Sequence, residues 1–211
     1  GPSITLAALD ELDPQIRALG REVERHAITD WHRHPLYTRI RADGVRETAA
    51  RAGLDLRDHA VRLVFSAHGT PLRYIEEGSR YVEYVEESCR AIAREAGAPD
   101  YAIGYQNHGS RPVEWTAPPI EEVIDRLEAR HAVVVPVSFM HEQSETLAEL
   151  DLELRERAEA RGLGFHRVPV PHDDPRFIRL LADLAEPFLR PGPNPLAACR
   201  CRPGAHCAAG A

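Results

Sequence analysis

At 211 residues, 43% of them hydrophobic, the chain has the size and apolar content of one domain with a real core. A net charge of −7 argues against a nucleic-acid partner, which calls for a basic face. No apolar run reaches the roughly 18 residues of a membrane span, and no secretory pattern opens the chain. A cytoplasmic placement is expected, with peripheral contact at a membrane surface left open. The chain starts at Gly1 rather than Met, which leaves a processed product, a tagged product and a fragment of a longer protein open.

In chain order, Leu6, Leu9, Leu12, Ile16 and Leu19 recur at helical spacing. Pro35 suits the first turn of a second helix, over about Leu36–Ala52, with Ile40, Val45 and Ala49 turned inward. Val61–Ala67 reads as the first core strand, and Gly69, Thr70 and Pro71 stop it. A loop through Gly78 leads to a helix over about Arg80–Ala96, whose stripe Tyr81, Val85, Cys89 and Ile92 faces a core. Tyr101–Tyr105 is the second strand. A polar loop and a helix over about Ile120–Ala129 follow. Ala132–Phe139, dense in valine, reads as a strand buried on both faces. A long helix over about Gln143–Arg161 precedes the fourth strand, Gly164–Val170, where Pro169 frays the end. Asp174-Pro175 caps a last helix, Arg176–Leu189.

Strands alternating with helices predict an α/β fold, a four-stranded parallel sheet flanked by helices in the Rossmann-like manner. The boundaries read as connecting helices over 1–54, a sheet domain over 55–190, and a Pro/Cys-rich tail over 191–211.

The polar residues that follow the strands carry the chemistry. Ligands of such sheets bind outside the carboxyl ends of the strands, and there stand His68-Gly69, Gln106-Asn107-His108, Met140-His141-Glu142 with Glu145, and His172-Asp173-Asp174. His68 leaves a buried strand into a glycine–proline turn, where an imidazole can bind a metal or move a proton near neutral pH. Glu145, Glu149 and Glu153 follow at steps of four, on one face of a helix. If that row turns inward it becomes a path for cations or protons; on a solvated face it is ordinary surface. Gln106, Asn107 and Trp115 suit a flat, partly apolar ligand or, equally, a capped loop. Cys199, Cys201 and Cys207 crowd a coil whose soft thiolates suit zinc or an iron–sulfur cluster, with Cys89 or His206 as a fourth ligand.

Taken together these motifs resemble the ferrochelatase family, which inserts ferrous iron into a porphyrin. Leu63-Val64-Phe65-Ser66-Ala67-His68-Gly69-Thr70-Pro71 resembles the segment with the family's catalytic histidine. Tyr105-Gln106 with Pro112-Val113-Glu114-Trp115 and Pro118 is similar to a second block. Pro136-Val137-Ser138-Phe139 followed by Ser144-Glu145-Thr146-Leu147-Ala148-Glu149-Leu150-Asp151 is similar to the block with the catalytic glutamate. The resemblance implies a chelatase-like domain with His68 and Glu145 catalytic. It implies His68, Glu145, Glu149 and Glu153 as the metal-handling set and Gln106 at the substrate. Fe2+ and a porphyrin are the implied substrates, either protoporphyrin IX or coproporphyrin III. Some members carry a [2Fe–2S] cluster on C-terminal cysteines, which makes Cys89, Cys199, Cys201 and Cys207 the candidate ligands here. One departure is Gln143, where the family usually has a histidine two residues before the glutamate; His141 is the nearest substitute. The family normally pairs two similar α/β domains, so an N-terminal half is expected as the missing partner. A half-size chelatase working as a homodimer and a non-catalytic iron or iron–sulfur protein are the alternatives.

Overall fold

A computed structural model describes residues 11–20, 28, 31–107 and 113–189. Residues 11–18 form helix α1, and a single 3-10 turn over Trp31–Arg33 leads to α2 (Pro35–Arg51). His34 caps α2, its Nδ1 accepting the Leu36 N–H at 3.2 Å, and Pro35 occupies the first turn, where no N–H is needed. There follow β1 (Val61–His68), α3 (Leu72–Glu76), α4 (Tyr81–Ala96), β2 (Tyr101–Gln106) and α5 (Ile120–Asp125). Next come β3 (His131–Pro136), a π-helix (Glu145–Leu154) continued by α6 (Arg155–Ala160), β4 (Gly164–Arg167) and α7 (Pro175–Leu189). The expected loop before α4 thus contains a short helix, α3. The strand of Ala132–Phe139 shifts to His131–Pro136, and the fourth strand stops at Arg167, before Pro169.

The four strands are parallel in the order β2-β1-β3-β4. Successive residues of a strand face opposite sides of the sheet. In β1, Leu63, Phe65 and Ala67 therefore join one core, shared with Tyr37, Ile40 and Val45 of α2 and with Val85, Cys89 and Ile92 of α4. Val64 joins a second core with Ile120 and Ile124 of α5, Val134 of β3, and Leu150 and Leu154 of the π-helix. Val64, Val133, Val134 and Ile92 are wholly inaccessible. Each such side chain contributes roughly 1.5–3 kcal/mol by leaving water, which is why the central strands are the least ambiguous part of the sequence. α2, expected as a connecting helix, is part of the sheet's own core.

Cys89 is 0% exposed in the first core, and burial pushes its thiol well above the ordinary cysteine value. A cluster ligand must be a thiolate that reaches the cluster; Cys89 is instead a small core residue. Cys199, Cys201 and Cys207 lie outside the described residues.

The second polar group in this core is more costly. Arg41 of α2 is 1% exposed. Its Nη2 donates to the Pro136 carbonyl at 2.8 Å, while Nε and Nη1 have no partner among the described residues. Burial lowers the guanidinium's pKa, partly offset by Tyr37 and Glu142. A buried cation without a tight counter-ion costs several kcal/mol. The bond to Pro136 returns about 1–2 kcal/mol. Arg41→Met keeps the aliphatic stem and removes the charge, so it is expected to stabilise the fold by about 1–3 kcal/mol, read as a higher urea midpoint at unchanged slope. A lower midpoint would mean that an internal counter-ion or water holds the guanidinium.

Among the described residues no helix is long and apolar enough to cross a membrane.

Candidate functional site at the carboxyl ends of the strands

His68 ends β1, and its backbone is held on both sides. Its N–H donates to Ser138 Oγ at 2.6 Å, and its carbonyl accepts the Tyr81 hydroxyl at 2.8 Å. Burial raises the Tyr81 pKa strongly, so that hydroxyl stays a donor across the accessible range. The imidazole is half-buried and meets the Phe139 ring edge-on, with centroids 6.1 Å apart. The turn beyond is tied to the loop after β2. Gly69 N–H donates to the Gln106 carbonyl at 2.7 Å, Thr70 N–H to Thr116 Oγ1 at 3.1 Å, and Thr116 N–H to the Thr70 carbonyl at 3.0 Å. A Cβ on residue 69 would stand 2.5 Å from the Gln106 carbonyl oxygen and 2.1 Å from Asn107 Oδ1, so glycine is what lets the two turns close.

Sheet register sets which side chains share a face. Ser66 pairs with Gly104, and His68 with Gln106. Registered partners point the same way, so Ser66, His68 and Gln106 all turn toward the face covered by the π-helix. The contacts follow. Ser66 donates to Gln106 Oε1 at 2.7 Å; Gln106 Nε2 donates to the Glu145 carbonyl at 2.8 Å and to Glu149 Oε2 at 2.9 Å. One buried amide therefore connects β1, its own strand and the first turn of the π-helix. Glu145 and His68, 77 positions apart in the chain, are brought to the same end of the same face.

Several expectations need revision here. Gln106 is 2% exposed and both ends of its amide are committed, so it positions the π-helix and presents no free edge to a substrate. The acidic helix is not an α-helix in its first ten residues, because it closes i→i+5 turns. Its inward stripe is Thr146, Leu150 and Leu154, continued by Ala158 of α6, all buried. The acidic row lies on the shoulder of that stripe: Glu145 and Glu149 are half-buried, while Glu153 is exposed. Among the described residues no three His, Cys, Asp or Glu side chains gather closely enough to hold a metal ion, so the four-residue set does not stand as a preformed cage. His141 is exposed, as is His172. Trp115 is half-buried, its backbone bridged to Pro71, as a loop-packing tryptophan would be.

One group was not visible in the sequence. Arg167 of β4 donates from Nη1 to both carboxylate oxygens of Glu142 at 2.9 and 3.1 Å, and from Nε to Asp151 Oδ1 at 2.7 Å. Glu142 also accepts the Val170 N–H at 3.0 Å. This network clamps the segment leading into the π-helix against β4. Burial by itself would raise the Glu142 pKa; the Val170 N–H, the Thr146 hydroxyl and Arg167 outweigh it and hold the carboxyl below its usual range.

Gln106→Leu tests the amide's positioning role. It strands the Ser66 hydroxyl and removes two anchors of the π-helix, so a loss of about 2–4 kcal/mol is expected. Hydrogen exchange should rise first in residues 145–150. A uniform rise across the sheet would instead mark a general packing defect.

The ferrochelatase family model matches residues 3–188. A ferrochelatase of Nostoc sp. is 37% identical over 185 residues, covering 85% of this chain and 46% of that protein. A coproporphyrin III ferrochelatase of Anoxybacillus flavithermus is 32% identical over 167 residues, covering 77% of this chain and 53% of that protein. Among solved structures, a putative cobalamin biosynthesis CbiX protein of Marinobacter aquaeolei is 17% identical with a TM-score of 0.44, covering 61% of this chain and 97% of that one. The chain spans about half the length of the curated relatives it matches. With the histidine-ended strand, the buried amide and the acidic π-helix in place, and a family match across most of its residues, the chain belongs to the ferrochelatase family.

Proposed function

We propose that this chain carries the metal-inserting wall of a ferrochelatase, where ferrous iron enters a porphyrin and two pyrrole protons leave. The observation that supports this most is the junction at Gln106, which brings the His68 end of β1 and the Glu145 turn of the π-helix to one sheet face. Insertion converts the free-base porphyrin and Fe2+ into the iron porphyrin and two protons. A base must stand over one porphyrin face. His68 is that base: a neutral imidazole accepts a proton at neutral pH, and its fixed backbone prevents it from following the ring. Glu145, at the start of the π-helix, accepts or relays protons or presents the iron, and Glu149 continues that route. Glu153, exposed, stands at its solvent end. Iron is substrate here, so a loosely organised set suits it better than a tight cage, because the ion must leave its protein donors for the four pyrrole nitrogens.

A porphyrin needs a second wall. The remainder of a longer polypeptide supplies it in this reading, and a second copy of the chain is the alternative. Light scattering of the metallating species separates them. Protoporphyrin IX and coproporphyrin III are the two candidate substrates, the second being in the name of the Anoxybacillus relative. A [2Fe–2S] cluster enters no step, since Cys89 does not fit as a ligand.

The test is the loss of free-porphyrin fluorescence with Fe2+ or Zn2+, run separately with each porphyrin. Metallation that depends on His68 and Glu145 is expected. Iron binding without any metallation, by every species containing this chain, would favour a non-catalytic iron protein.

A further inference from the structure

His131 opens β3, and His166 lies in β4, the edge strand. His131 pairs with Gly164 and Val133 with His166, so the two imidazoles stand diagonally on one face of adjacent strands. His131 Nδ1 and His166 Nε2 are 3.2 Å apart, with ring centroids 5.4 Å apart and planes tilted by 44°. Both rings are half-buried. The pair is remote from the proposed metallation site. Val61, at the start of β1, is the register partner of His131, and His68 lies seven positions farther along, about 23 Å at the rise of a strand.

We propose that His131 and His166 form a second metal site, which takes a divalent late transition ion such as Zn2+ through Nδ1 of one ring and Nε2 of the other, with water completing the shell. Two observations carry it. The first is the spacing. Two imidazole nitrogens at tetrahedral zinc, each about 2.0–2.1 Å from the metal, stand about 3.3 Å apart, close to the 3.2 Å found. The second is the space beside them. A Cβ at position 164 would lie 2.3 Å from His131 Nδ1 and 3.2 Å from His166 Nε2. Glycine there leaves both nitrogens approachable from one side. Arg155 is the adverse charge, and Asp151 at 3.5 Å and Glu159 at 3.9 Å offset it.

Without metal, one ring donates its N–H to the other. Binding replaces that hydrogen bond with two nitrogen–metal bonds. The displaced proton moves to the far nitrogen of the same ring, so both imidazoles remain neutral and no proton is released. Nitrogen donors of this kind suit zinc, copper and nickel.

Zn2+ alone, titrated into the full chain at about pH 7.5, where free imidazole is mostly neutral, tests this. Long-range proton–nitrogen NMR of the histidine rings is the readout. His131 Nδ1 and His166 Nε2 are expected to shift together and saturate at one zinc. His166→Ala should abolish the response at His131, and His131→Ala that at His166, with the His68 ring unaffected by either change. Zinc uptake that leaves both rings unmoved overturns the proposal, as does a response of each ring that survives loss of the other. The unsubstituted protein's spectrum decides the matter if a variant does not fold. None of these outcomes depends on porphyrin metallation, so the site stands or falls separately from the proposed activity.

Discussion

His68→Ala is expected to slow porphyrin metallation by about 10²–10⁴-fold, the range for losing a positioned general base. The structure should barely change. The ring is half-buried at the end of a strand, and the bonds from residue 68 to Ser138 Oγ and the Tyr81 hydroxyl are made by its backbone. Alanine keeps both, so circular dichroism and the urea midpoint should stay near the parent values while the rate falls. Glu145→Gln separates the partner's role. The Glu145 carbonyl, not its carboxylate, accepts the Gln106 amide, so glutamine retains that anchor while the charge is removed. A rate loss that persists at saturating metal marks a proton-handling role, whereas a loss that metal rescues marks delivery of the ion. His141→Ala, at an exposed position, serves as the control and should metallate normally. Unchanged rates in both His68→Ala and Glu145→Gln would remove the assignment entirely.

The sheet was legible in the sequence because its central strands are buried on both faces. Val133, Val134 and Val135 are an apolar run of strand length, and nothing solvent-facing interrupts them. His68 was legible for a related reason: a lone polar residue leaving such a run must lie at the sheet's rim. Side-chain roles beyond that depended on register. Gln106 looks like a ligand residue until its pairing with His68 and its bond to Glu149 place it inside the fold. The acidic helix misled in another way. Residues 145, 149 and 153 repeat at four, but so do Thr146, Leu150 and Leu154. Packing against the sheet, a non-local choice, decides that the second stripe faces inward and that the turns widen to i→i+5. Arg41 was invisible because an apolar stripe is read from its hydrophobic members, and an arginine next to Ile40 looks like the helix's wet side. The His131–His166 pair was also out of reach, since two histidines 35 residues apart meet only through the β3–β4 register.

A stability loss as large as that of Gln106→Leu is expected at Arg167. It joins Glu142 and Asp151, which lie 25 and 16 residues away in the chain, and all three side chains are mostly shielded from solvent. Arg167→Met retains the stem and leaves two carboxylates without their shared cation. Breaking a fully buried pair from one side costs about 3–5 kcal/mol. Partial solvent access to Asp151 and Glu142 reduces this, and about 2–4 kcal/mol is expected. The pH dependence gives a second, independent signature. The folded-state pKa of Glu142 is held below the ordinary glutamate value by the Val170 N–H, the Thr146 hydroxyl and Arg167. A depressed carboxyl contributes stability that is fully present above the unfolded pKa and is lost as pH falls through the folded one. The parent protein should therefore lose this contribution below about pH 4.5. In Arg167→Met the cation is gone and burial then acts to raise the Glu142 pKa, so the acid-induced loss should be shallower and the two proteins should converge in urea midpoint toward low pH. The same substitution frees residues 140–145 from β4, so the start of the π-helix, and with it Glu145, loses its fixed relation to His68. A fall in metallation rate at temperatures where Arg167→Met is still fully folded is expected, and a full-rate variant would show that the clamp supports the fold without positioning the chemistry.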